Sequence, residues 1–131
     1  MTEHDFTNRI SLNWEEGIVE IDLQAINFTN AEETFLFHDA LDSAVAGTGQ
    51  TWFFLTCFTD CTITPEAAHH FSMRRTHSQV GFSRGAVRYG ASKELDSAMI
   101  SLGSNFKAVK DSYSDREAAL SKIAEMKAAG Y

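Results

Sequence analysis

The 131-residue sequence predicts one α/β domain spanning 1–131. It should hold a mixed, mostly parallel sheet of about five strands covered by four helices, in the order β-β-α-β-α-β-α-β-α. Three observations carry this. Short apolar or alternating runs take turns with segments whose apolar residues recur at helical spacing. Helix-opening signals stand at Asn30, Thr64-Pro65, Ser92 and Ser114. Glycines or polar clusters separate the segments over only a few residues, which leaves room for short connections and none for a linker.

Arg9 to Trp14 reads as a strand with Ile10, Leu12 and Trp14 on one face, and Ile18 to Leu23 as its partner with Val19, Ile21 and Leu23 aligned. Glu15-Glu16-Gly17 is the turn between them, with Gly17 free to take positive φ. Asn30-Ala31-Glu32-Glu33 opens the first helix as a capping box, and Phe37, Ala40, Leu41, Ala44 and Val45 form its inner face. Gly47 and Gly49 end it. Thr51 to Phe58 is apolar on both faces, as a central strand must be. Thr64 caps the next helix and Pro65 takes its first position, where the missing N–H costs nothing. That helix runs toward Ser83 and stops near Gly85. Ala86 to Tyr89 is a short strand. Ser92 opens a helix through Leu95, Met99 and Leu102 that Gly103 ends, and Phe106 to Val109 is the fifth strand. Ser114-Asp115-Arg116-Glu117 opens the last helix, with Ala119, Leu120, Ile123 and Met126 inward and Gly130 closing it.

The N-terminal segment Met1 to Arg9 is polar, which fits no export signal, and no run approaches the roughly 20 apolar residues of a membrane span. A cytoplasmic protein without integral membrane association is the expectation, with Cys57 and Cys61 as reduced thiols. The formal net charge of −7 speaks against nucleic-acid binding. That average hides a split. Residues 1–66 hold twelve acids and one base, Arg9, whereas residues 67–131 hold six acids and ten bases. Between Glu66 and Glu94 there is no acid, yet there are Arg74, Arg75, Arg84, Arg88, Lys93 and three histidines.

On a helix, His70, Met73, Arg74 and His77 share one face, with Arg75 beside it. Guanidinium groups there, next to the helix start at Thr64, suit a phosphate, a carboxylate or an acidic protein. The plainer account is that these bases pair with the acid-rich first half. Metal binding is not expected: Cys57-x₃-Cys61 lacks a second pair, and His70 and His77 lie about 10 Å apart along the axis. No cofactor is implied either. Gly47-Thr48-Gly49 precedes a strand instead of opening a helix. Phe35, Phe37, Trp52, Phe53 and Phe54 read as core. The enzymatic alternative is a thiol enzyme using Cys61 and a histidine, whose thiol pKa the helix start would lower.

The element order, together with Gly85-Ala86-Val87-Arg88-Tyr89-Gly90-Ala91-Ser92 and Ser114-Asp115-Arg116-Glu117-Ala118-Ala119-Leu120, resembles the SpoIIAA-like, or STAS, domain of bacterial anti-sigma-factor antagonists. The resemblance covers about Arg9 to Met126. It implies a non-enzymatic binding or regulatory module for proteins, small anionic molecules or lipids. Regulatory members carry a phosphorylatable serine in an Asp-Ser-Ser-Gly segment at the start of the second helix. Here that place reads Thr59-Asp60-Cys61-Thr62-Ile63-Thr64-Pro65, with Cys61 and Thr62 where the serines would stand. Candidate binding residues are therefore Asp60, Cys61, Thr62, Thr64, His70, Arg74, Arg75 and His77. The opposite charges of the two halves also suggest a homodimer.

Overall fold

The computed structural model describes residues 1–101 and 112–131. Its elements are α1 (Glu3–Thr7), β1 (Ile10–Asn13), β2 (Ile18–Asp22), β3 (Asn27–Phe28), α2 (Ala31–Val45), β4 (Trp52–Cys57), β5 (Thr62–Ile63), α3 (Pro65–Phe82), β6 (Ser83–Tyr89), α4 (Lys93–Ser101), β7 (Ser112–Tyr113) and α5 (Arg116–Ala128). The main sheet has the order β1-β2-β4-β6-β7. It is mixed: β1 runs antiparallel to β2, and the other three pairings are parallel. The sequence reading of a mostly parallel sheet understated this antiparallel edge. It also missed α1 and the small parallel sheet of β3 and β5. The expected strand Phe106 to Val109 and the helix end at Gly103 lie outside the described residues.

The strand order advances in one direction from β2 to β7, so crossovers of one hand carry their helices to one side of the sheet. Val19, Ile21, Trp52 and Phe54 therefore meet Phe37 and Leu41 of α2, Ala67 and Phe71 of α3, and Leu95 of α4 in one core. The alternate residues Ile18, Phe53, Leu55 and Val87 face the other way, against Ala119, Ile123 and Met126 of α5. This two-face burial is why β4 is apolar at successive positions. Among the described residues, α5 is the only helix in that second core.

Local signals explain most boundaries. Gly17 closes the hairpin at φ +68°, beyond the reach of most side chains. Asn30 accepts the Glu33 N–H at 2.9 Å, while the Glu33 carboxylate accepts from Thr29 N and Oγ1 at 3.2 and 2.7 Å. The last helix is capped one residue later than expected, by Asp115, which accepts from Ala118 N at 2.9 Å. Thr64 occupies the cap position of α3, but its side chain caps nothing. Gly85 does not end α3. It lies inside β6, where a Cβ would stand 3.1 Å from Met126 Sδ and 3.3 Å from the Phe53 ring, so its absence lets α5 seat on the sheet.

Gly90, at the end of β6, has φ +79°, and a Cβ there would collide with Thr59, whose backbone N lies 3.1 Å away. Left-handed strain and the clash act together, so Gly90→Ala should cost about 1–3 kcal/mol. Urea unfolding with an unchanged midpoint would refute this.

Candidate functional site

The segment between β4 and α3 is held tightly to the chain before α2. Thr59 O accepts from Ala25 N at 3.0 Å, Ile26 O accepts from Thr62 N at 3.0 Å, and Phe28 O accepts from Thr64 N at 2.9 Å. Asp60 sits at the apex with φ +55°, a left-handed conformation that Asp tolerates. Asp60 and Thr62 are exposed. The Thr62 hydroxyl donates to Asn27 Oδ1 at 2.5 Å. Thr64 Oγ1 is sealed from solvent and has no hydrogen-bond partner among the described residues.

Cys61 belongs to the core on the α3 side. Burial, reinforced by the neighbouring Cys57, pushes its thiol up to about 12. A nucleophile needs the opposite shift, and the expected lowering by the helix start is not what this position provides. His69, His70, His77 and the two cysteines are not gathered into any group of three or more metal-ligating side chains among the described residues.

The predicted cationic face of α3 is split three ways. Arg74 turns toward α2, where its Nη2 lies 2.7 Å from Asp39 Oδ1 and 3.4 Å from Asp42 Oδ2, with the guanidinium 5.7 Å from the centre of the Phe35 ring. His70 turns the same way and meets Phe35 edge-on at 5.5 Å. Arg75 points inward to the sheet. Its Nη2 donates to Thr56 Oγ1 and its guanidinium lies 5.6 Å from the Phe54 ring centre. Desolvation, aided by the positive charge of Arg88, lowers the Arg75 pKa to about 10, which still leaves it charged at neutral pH. Of His70, Arg74, Arg75 and His77, only His77 is exposed. A basic recognition stripe is therefore absent from α3, because two of its arginines are already engaged.

The charge split has the same explanation. Bases of the second half pair with acids of the first: Arg116 Nε with Glu20 Oε1 at 2.6 Å, Lys127 Nζ with Glu16 Oε2 at 2.9 Å, and Arg74 with Asp39 and Asp42. Arg88 is answered within its own half by Asp96, 2.9 Å from both Nε and Nη2. Part of the uneven distribution along the chain thus becomes a set of contacts within one molecule.

What α3 does present outward is mainly apolar and imidazole. Met73 is 58% exposed and Val80 84% exposed. His69 and His77 are exposed on the same helix, and the spacing 69, 73, 77, 80 keeps all four on one face. Phe35 of α2, expected in the core, is 39% exposed at the edge of this face, whereas Phe37 is buried. Exposed Glu66 and Thr62 continue the face into the apical loop. Sequence reasoning placed Met73 and His77 together but overlooked Val80, whose only signal was its spacing from them.

No helix of the described residues is long and apolar enough to cross a membrane. Compared with known proteins, the chain matches no family model and no curated protein.

Proposed function

We propose that this chain is a non-enzymatic binding module that docks a protein partner on the outer face of α3 and the loop from Thr59 to Thr64. The observation that carries the reading is the exposure of Met73 and Val80 on a helix whose Arg74 is paired with α2 and whose Arg75 is buried against the sheet. Large apolar side chains rimmed by histidine and a rigid polar loop form the central-apolar, peripheral-polar pattern of recognition surfaces. The resemblance to SpoIIAA-like domains supports the same class of function. It rests on the alternating order of elements and on the stretches Gly85 to Ser92 and Ser114 to Leu120. An anionic small ligand is less well supported at this place, since Arg74 is paired with Asp39 and Asp42 and Arg75 is buried.

Met73→Asp/Val80→Asp should leave the fold intact, because both side chains face water. Binding of a partner captured from the source cells should weaken about ten-fold or more, the scale of losing one anchoring contact. Equal affinity of the double variant and the parent for every captured protein would overturn this surface as the docking face.

A further inference from the structure

On the opposite side of the sheet, α5 and the β1–β2 hairpin leave a recess of about 350 Å³. Its floor is apolar: Ile18 of β2 and Ile123 of α5 are buried, and Leu120 is half-buried beside them. Ala124 contributes one small side chain to its wall. Residues 116, 120, 123, 124 and 127 fall on one face of α5, and at 124 no side chain fills the gap toward the sheet. Two ion pairs strap its ends. Arg116 makes a two-pronged contact with Glu20, Nε to Oε1 at 2.6 Å and Nη2 to Oε2 at 3.0 Å, and Lys127 reaches Glu16 at 2.9 Å.

From this geometry we infer a small-molecule site for a neutral, planar, largely apolar body such as an aromatic ring system. Size and lining agree: ligand pockets run from roughly 300 Å³ upward and are mostly apolar with a few polar groups at the margin, and an apolar cavity of about 150 Å³ already admits benzene. Charge decides the class. Each cation at the rim already has its carboxylate, so the recess is electrically balanced. Among the described residues, an ionic ligand would find no unpaired countercharge at the rim to reward its desolvation. A neutral ring covers the exposed part of Leu120 and leaves both pairs intact. This site lies away from α3 and stands independently of the docking surface there.

The test is an amide NMR titration of the full chain with indole, and separately with indole-3-acetate. Indole should give saturable shifts at Ile18, Glu20, Leu120 and Ala124, and indole-3-acetate should bind several-fold more weakly. Ala124→Phe plugs the recess from an exposed position and should abolish the indole shifts. Ala124→Leu, a smaller plug, should weaken them if the larger ring disturbs α5. Met73→Asp/Val80→Asp should bind indole like the parent. The inference is overturned if indole produces no saturable shifts at these amides, if indole-3-acetate binds as tightly as indole, or if indole still binds the plugged variants at full strength.

Discussion

Phe71→Ala is expected to destabilise the domain by about 3–5 kcal/mol, the usual cost of emptying a buried phenylalanine site. Phe71 is the hub of the aromatic core beneath α3. Its ring centre lies 5.2 Å from Phe28, 6.0 Å from Phe37, 6.2 Å from Phe58 and 4.9 Å from the His38 imidazole. The rings come from α2, from α3, from β3 and from the residue after β4, so no single element can move inward to close the hole. A domain of this length has about 5–15 kcal/mol in total, and the loss is a large part of it. The urea midpoint should drop accordingly with an unchanged slope. A loss under about 1.5 kcal/mol would mean that the surrounding rings repack, contrary to the close-packed cluster described above.

The second large effect is a loss of stability in acid, traced to His38. This side chain is buried in α2 with its ring 4.6 Å from Phe37. Since a carbonyl can only accept, Nδ1 carries the proton donated to Thr34 O at 2.7 Å, and Nε2 is bare, with no partner among the described residues. Burial, assisted by the charges of Arg75 and Arg74 and opposed by the Thr34 hydrogen bond, lowers its pKa from an ordinary 6.5 to about 3. The folded-state pKa therefore lies below the unfolded one. As pH falls below 6.5 the unfolded chain takes up a proton that the folded chain refuses. Stability declines by about 1.4 kcal/mol per pH unit until the folded pKa is reached. His38→Leu has similar volume and removes this term. It should be within about 1 kcal/mol of the parent at pH 7.5 and gain about 3 kcal/mol on the parent between pH 7.5 and pH 4.5. Parallel pH profiles for the two proteins would show that His38 is protonated without penalty.

The alternation of strands and helices was legible because each strand pattern and each cap is local. Trp52 to Leu55 could hardly be anything but a doubly covered strand, and all four are buried. By contrast, α1 was missed although Thr2 and Asp5 form a capping box, because a helix of five residues with one buried side chain, Phe6, has no periodicity to detect. The orientation of the basic residues on α3 was illegible for a different reason. Helical spacing shows which residues share a face but not which face turns inward. In α3 the inward residues include Ser72, Arg75 and Ser78 beside Ala67 and Phe71, so polarity does not mark the buried side. The fate of the charges was beyond local reasoning altogether: Glu20 and Arg116 are 96 residues apart in sequence, and only the closed fold brings them within 2.6 Å.

The one-directional march of the strands has a mechanical consequence. Among the described residues, the near side of the sheet is roofed by several interlocked helices, whereas the far side has α5 alone for a lid. Lifting α5 would bare Ile18, Phe53, Leu55 and Val87 in one stroke and slacken both ionic straps with them. Among the described residues, that face of the sheet therefore depends on one helix for its cover.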